Sequence, residues 1–443
     1  MKNSEYDILI TGGLLITMSK DMVILKDPVI GVRDGRIAFI EKLQKDVAHS
    51  YRAKENIDAT GSLIMPGLVN THTHLPMVCF RGLADDLPLM EWLQNHIWPV
   101  EAKHVSREMV YAGAKLAIAE MILSGTTTFC DAYFYESNVA VAAADTGMRG
   151  IVCQGFIDLP NPSDPGKIKE VAERFIGKWQ GKYPLIIPSL ACHAPYTCSP
   201  ETLTSVKDAA RKADVLFNIH VSETRDEVSI IRDRYGKTPV AHLRDLNLLD
   251  GRTLAVHCNW LDEDEMDILQ THDVKVSHNP ESSLKLAAGI APIPGLMKKG
   301  VTVGLGTDGT ASNNDLDLFG EMDTAAKIHK ATEMDPTVMD AVTVLKMATI
   351  DGARCLGLED RIGSIEIGKQ ADIIILNTNA PHWVPLFNPY SQLVYAASGA
   401  DVATSIIGGK IVMRDRKLLT MDLDSVTREV RKIANKISPG VYT

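Results

Sequence analysis

The sequence predicts an α/β fold, a (β/α)8 TIM barrel carrying a small β-sandwich domain built from both chain termini. Three observations predict it. From about Leu68 onward, eight short β-branched or apolar runs alternate with stretches of helical periodicity, the signature of βα units around a parallel sheet. The segments flanking them at both ends carry short strand patterns separated by hairpin turns. Histidines and an aspartate gather where the barrel runs end.

The chain of 443 residues exceeds what one compact core usually holds, so a large domain with a satellite is expected. At the front, Ile8–Met18, Pro28–Glu41 and Ile57–Leu63 read as strands. The eight barrel runs are Leu68–His72, Thr126–Asp131, Gly150–Cys153, Leu185–His193, Leu216–Val221, Leu254–His257, Val274–His278 and Val301–Asp308. Between them, Met109–Leu123, Pro200–Lys212 and Asp262–Gln270 have helical spacing, and Asp262 with Glu265 forms an N-terminal capping pattern. At the back, Ala371–Leu376, Val394–Ala397 and Thr404–Val412 again read as strands. The turns Asp34-Gly35 and Gly408-Gly409 separate strands within these outer sets. Each outer set has too few strands to bury a face alone, so the two are expected to pair. The division is 1–66 and 365–443, the latter with a tail helix, for the sandwich, and 67–364 for the barrel. A doubly wound open sheet is the structural runner-up, but it would advertise a Gly-rich phosphate turn after an early strand, and the sequence has none.

With 45% hydrophobic and 23% charged residues, the chain reads as an ordinary globular protein. A net charge of -10 argues against nucleic acid or an anionic membrane surface as partner. The N-terminus lacks a signal-peptide pattern and no apolar run spans a bilayer, so the cytoplasm is the default expectation. Seven cysteines without Cys-x-x-Cys pairs fit reduced thiols; Cys130, Cys153 and Cys192 read as small buried hydrophobes. Symmetric self-assembly is common in soluble enzymes, so a homo-oligomer is possible.

Catalytic groups in such barrels occupy the C-terminal strand ends. Strand one ends in His72 and His74, strand four in His193, strand five in His220, strand six in His257, strand seven in His278 and strand eight in Asp308. His72 and His74, one residue apart at the end of an apolar strand, project from the same side. Three histidines and one carboxylate can hold a divalent cation while leaving a position for water. His72, His74, His220 and Asp308 are therefore assigned to one metal ion. Zinc is the expectation, with iron or manganese admitted by the same donors. Metal binding lowers the pKa of a bound water and makes a nucleophile available. Glu223, three residues beyond His220, is then the general acid/base, and His257 orients the nucleophile or stabilises developing charge. The blander alternatives are a turn or cap role for Asp308 and a solvated loop carboxylate for Glu223. His278 reads equally as a core or a site residue. His49, His96, His104, His242, His272, His329 and His382 read as surface residues.

These stretches resemble the amidohydrolase superfamily, specifically its methylthioadenosine/S-adenosylhomocysteine deaminase branch. The resemblance is carried by Pro66-Gly67-Leu68-Val69-Asn70-Thr71-His72-Thr73-His74, His220-Val221-Ser222-Glu223-Thr224, Val256-His257-Cys258, His278-Asn279-Pro280 and Gly306-Thr307-Asp308-Gly309-Thr310-Ala311-Ser312-Asn313-Asn314. It implies a mononuclear site, since no lysine ends strand four. It also implies substrate contacts for Glu101, with ribose hydroxyls, for His193, with the purine, and for Arg149, with a nucleoside substituent; Glu223 and Asp308 would also meet the substrate. Read without the family, Glu101 is an ordinary acid near a helix start. The chain departs from the family at Ser283, where asparagine is usual. The implied reaction is hydrolytic deamination of an adenine nucleoside: 5′-methylthioadenosine, S-adenosylhomocysteine, 5′-deoxyadenosine or adenosine, giving the inosine analogue and ammonia. The alternatives are a guanine, pterin or triazine deaminase or a chlorohydrolase, and a non-catalytic scaffold, against which the intact ligand set with Glu223 argues.

Overall fold

The computed structural model describes residues 5–42, 51–158, 164–440 and 442. Its central sheet has eight parallel strands in sequential order: Leu68–Thr73, Thr126–Tyr133, Arg149–Phe156, Ile186–Cys192, Phe217–Val221, Thr253–His257, Lys275–His278 and Val303–Leu305. The eighth strand returns to the first, where Asp308 N donates to the His72 carbonyl at 3.0 Å and Thr73 Oγ1 to the Asp308 carbonyl at 3.1 Å. This closure brings the first and last strand ends together, which is what a shared metal site requires. Gly306 permits the approach: a Cβ there would lie 2.8 Å from the His72 nitrogen and 2.4 Å from Asn279 Oδ1. The eighth strand is correspondingly shorter than the run Val301–Asp308 suggests.

Helices cover the outside where the sequence places them. Arg107–Leu123 is capped by Ser106, whose side chain accepts from Met109 N. Pro200–Ala213 begins at its proline behind the Ser199 cap. Asp262 and Glu265 form the reciprocal capping box expected for Glu263–Thr271. The tail helix Leu423–Ile437 packs against Arg107–Leu123. Among the described residues, no helix is long and apolar enough to cross a membrane.

The termini form two further sheets. One has four strands, all from the front of the chain: Glu5–Thr11, Pro28–Arg33, Arg36–Lys42 and Arg52–Asp58. The other has seven and joins the two ends, because Ser62–Pro66 pairs antiparallel with Ile373–Asn377. A core of β-branched side chains, Ile8, Ile10, Ile30 and Ile64 from the front with Ile373 and Ile375 from the back, fills the space between the sheets. One outer expectation fails. Val394–Ala397 is no strand; Val394 lies in the helix Pro389–Tyr395. Asn388 accepts from Tyr390 N and Ser391 N, and Pro389 opens the first turn. This start signal outweighs the β-propensity of two residues. All seven cysteines are buried and unpaired by disulfide.

Candidate active site

At the C-terminal end of the barrel, His72, His74, His220 and Asp308 converge, each offering one ligand atom within 4.8 Å of the others. His72 Nε2 lies 3.2 Å from His220 Nε2 and 3.4 Å from Asp308 Oδ1; His74 Nε2 lies 3.3 Å from the same oxygen. The outer atoms of the set decide its chemistry. His74 Nδ1 is 2.6 Å from the Ala132 carbonyl and His220 Nδ1 is 2.6 Å from the His193 carbonyl. A carbonyl only accepts, so both Nδ1 atoms carry a proton, and each ring in its neutral form presents a bare Nε2 lone pair inward. Asp308 Oδ2 accepts from Ser282 Oγ at 2.6 Å and Ser312 Oγ at 2.8 Å, which leaves Oδ1 facing the imidazoles. Lone pairs and an anionic oxygen pointed at one another repel unless a cation lies between them, so the donor set fits a divalent ion. Burial lowers the pKa of His72 and drives that of His220 far down, so both favour the neutral ligand form.

The same strand ends supply the neighbouring groups. His257 and Asp308 both adopt left-handed backbone, with φ of 71° and 60°, a strained conformation that aims the side chains off the strand ends. His257 Nε2 lies 3.7 Å from Glu223 Oε1, and its ring stacks on His220 with centroids 5.4 Å apart. Burial pulls the His257 pKa down to about 3. Burial, reinforced by Asp308 and Glu227, pushes the Glu223 carboxyl well above its ordinary value. His193, lowered by burial to about 4, is oriented by Thr197 Oγ1, 2.8 Å from its Nδ1.

These groups open into one cavity. His74, Glu101, His193, His220, Glu223, His257 and Asp308 all line it, while His72 is buried behind the ligand cluster. Glu101 reaches the cavity from the short helix Trp98–His104, and Tyr133 Oη donates to its carboxylate at 2.5 Å. Burial raises the Glu101 pKa against that bond.

Arg149 does not join this set. It opens barrel strand three, at the opposite end of the barrel from the cavity, and is fully buried. Its Nε and Nη2 donate to the two carboxylate oxygens of Asp372 at 3.0 and 2.8 Å. The expected substituent contact is therefore replaced by a buried ion pair between barrel and sandwich. His278 lies in the core with its Nε2 3.0 Å from that of His329. His329 and His242, expected on the surface, are buried because their helices turn those positions inward; His242 stacks on Tyr235 with centroids 4.0 Å apart. His49 lies outside the described residues.

Sequence reasoning missed the residues that hold the site. Ser282 and Ser312 fix Asp308, and Ser312 lies within the stretch Gly306–Asn314 that carries the family resemblance. Tyr133 lies two residues past the expected end of strand two. Glu227 and Asn259 support the backbone of Glu223, the first through its N–H and the second through its carbonyl. Ser283, the residue that departs from the family, is buried with its Oγ 3.2 Å from Asn259 Nδ2, so the departure reaches the support of Glu223.

Residues 63–412 match the model of the amidohydrolase family. The chain belongs to that family. Among its amidohydrolase relatives is a 5-methylthioadenosine/S-adenosylhomocysteine deaminase of Syntrophobacter fumaroxidans, 49% identical, covering 99% of this chain and 100% of the relative. A 5′-deoxyadenosine deaminase of Methanosarcina acetivorans is 44% identical over 97% of this chain and 98% of its own. The crystal structure of an adenosine deaminase from Xanthomonas campestris with bound zinc superposes with a TM-score of 0.94 at 39% identity, covering 98% of this chain and 99% of that one. The amidohydrolase fold thus extends through both terminal sheets as well as the barrel.

Proposed function

We propose that this cavity hydrolytically deaminates an adenine nucleoside modified at its 5′ carbon, with zinc in the His72, His74, His220 and Asp308 site. The observation that carries the reading is the meeting of that donor set with Glu223, His257, His193 and Glu101 around one cavity. The names of the Syntrophobacter and Methanosarcina relatives and the zinc of the Xanthomonas structure support it. Zinc bound there supplies an activated water as nucleophile for C6 of the purine.

Glu223 takes the proton released as the water oxygen bonds to C6 and delivers it to ring atom N1. Its raised pKa suits a group that must both accept and return a proton near neutrality. The remaining hydroxyl proton then passes to the amino nitrogen, the C6–N bond breaks, and ammonia leaves with the 6-oxo product. His257 and Asp308 hold the attacking oxygen, His193 meets the purine, and Glu101 accepts from the ribose hydroxyls. The test mixes the zinc-loaded protein with 5′-deoxyadenosine, 5′-methylthioadenosine, S-adenosylhomocysteine and adenosine and follows the adenine absorbance band. Loss of the band is expected, with turnover reduced about 10²–10⁴-fold in Glu223→Gln at unchanged zinc content. A band unchanged with all four nucleosides overturns the proposal.

A further inference from the structure

We infer that the cavity selects nucleosides whose 5′ substituent is uncharged and discriminates against an amino-acid tail at that position. The inference rests on the nucleoside reading above and names which of its candidate substrates the site is built for. The 5′ carbon hangs from the same ring as the hydroxyls assigned to Glu101. A 5′ substituent must therefore meet the wall around Glu101. That wall is apolar: Trp92, Leu93, Ile97 and Trp98 precede Glu101 in the chain, and Phe134 and Phe156 follow from the ends of barrel strands two and three.

Among the described residues lining the cavity, no lysine or arginine is present; the acidic side chains are Glu101, Glu223 and Asp308. The histidines are committed to the metal, the purine or the nucleophile. Three cations beyond the lining are each in contact with another group. Arg234 Nη1 donates to the Tyr196 carbonyl at 2.8 Å, and Lys285 pairs with Asp85 at 2.6 Å. The Arg225 guanidinium lies over the Trp260 ring, 4.1 Å from its centroid. Lys285 and Arg225 border an outer groove that adjoins the cavity at Leu89 and Leu286, away from the wall around Glu101.

A homocysteine tail brings an ammonium and a carboxylate. Glu101 is the acid nearest the ribose, and Tyr133 already occupies part of it. The tail carboxylate finds no cation on the apolar wall, and a carboxylate stripped of water without a partner is costly. The tail must stay in water and gain nothing, or the nucleoside is rejected. A hydrogen, a methylthio group or a short alkylthio chain meets the same wall with favourable burial.

The experiment compares kcat/KM of the zinc-loaded enzyme for 5′-deoxyadenosine, 5′-methylthioadenosine, S-adenosylhomocysteine and 5′-butylthioadenosine, an uncharged thioether of comparable reach. The three uncharged compounds are expected to be turned over at similar efficiency and S-adenosylhomocysteine at least about tenfold less well, a difference of about 1.4 kcal/mol. Efficiency for S-adenosylhomocysteine at or above that for 5′-methylthioadenosine overturns the inference. So does a butylthio compound as poor as S-adenosylhomocysteine, because length rather than charge would then be sieved. A second arm supplies the missing cation. Phe134 is 42% exposed, so Phe134→Arg should fold and raise the efficiency for S-adenosylhomocysteine relative to 5′-methylthioadenosine by about tenfold; an unchanged ratio in the folded variant also overturns it. Failure to turn over any adenine nucleoside strikes the proposed reaction instead and is distinguishable from both.

Discussion

Glu227 holds the backbone of Glu223: its Oε2 accepts the Glu223 N–H at 2.8 Å, while Oε1 accepts that of Ser222 at 2.9 Å. Ser222 sits in left-handed backbone, with φ of 52°, between the end of barrel strand five and the helix Arg225–Tyr235. This turn must reverse direction within three residues of the ligand His220 while aiming Glu223 into the cavity. One buried carboxylate spans both N–H groups that the turn leaves without a strand partner.

Glu227→Gln should therefore cost about 1–3 kcal/mol of stability, because an amide nitrogen faces one of the two N–H donors, and should lower kcat more than it raises KM. Burial raises the Glu227 pKa to about 7. The folded state then binds more protons than the unfolded one between the ordinary carboxyl range and about pH 7. This contribution is fully present below the unfolded value and is lost as the pH rises through about 7. Denaturant unfolding of both proteins across that range should show the native chain losing stability relative to the variant as pH rises. Parallel curves would remove Glu227 as the titrating group.

The convergence of His72, His74, His220 and Asp308 and the barrel itself were legible for a shared reason: both are repeated features with a fixed place. Eight apolar runs mark eight strands, and a histidine or aspartate closing such a run lies at the active end whatever the loops do. The outer pairing was legible because neither terminal set could bury a face alone. Arg149 was misplaced although its position was readable, since it precedes the run Gly150–Cys153 and a residue opening a strand lies at the far end of the barrel. Tyr133, Glu227 and Asn259 act through hydrogen bonds set by how a strand end, a helix and the turns after the barrel strands meet, which no period encodes. Val394 shows the local limit, where an Asn-Pro helix start overrode strand propensity.

Ser282 and Ser312 should control metal affinity. Both donate to Asp308 Oδ2 and leave Oδ1 for the ion, and loss of such an orienting bond typically costs 10–100-fold in affinity. Ser312→Ala should weaken zinc by about that factor in competition with a chromophoric chelator, and activity should recover at raised zinc. An unchanged zinc affinity would show that one serine suffices, which the double variant would then test.

Tyr133→Phe should act on nucleoside binding. The Tyr133 hydroxyl donates to Glu101 at 2.5 Å and holds that carboxylate toward the cavity. Without it, Glu101 loses its orientation and burial raises its pKa unopposed by that bond. KM for 5′-deoxyadenosine should rise about tenfold with kcat little changed, and a nucleoside lacking the 2′- and 3′-hydroxyls should be indifferent to the substitution. A fall in kcat alone would place Tyr133 in the chemical step.

Arg149→Met tests the corrected role of Arg149. Its guanidinium makes two bonds to Asp372, and Asp372 Oδ1 also accepts from Gly408 N at 2.7 Å in the turn between two sandwich strands. Removing the guanidinium strips the buried carboxylate of both side-chain hydrogen bonds and leaves it the Gly408 N–H and the charge of the neighbouring Arg361. Breaking one partner of a buried pair typically costs about 3–5 kcal/mol, so the melting temperature should fall by several degrees. Arg149→Met with Asp372→Leu should recover part of the loss, because the orphaned charge is removed as well. KM for each nucleoside should match the native enzyme below the melting transition, since the pair stands at the closed end of the barrel. A selective rise in KM for S-adenosylhomocysteine in the folded variant would instead return Arg149 to the substrate.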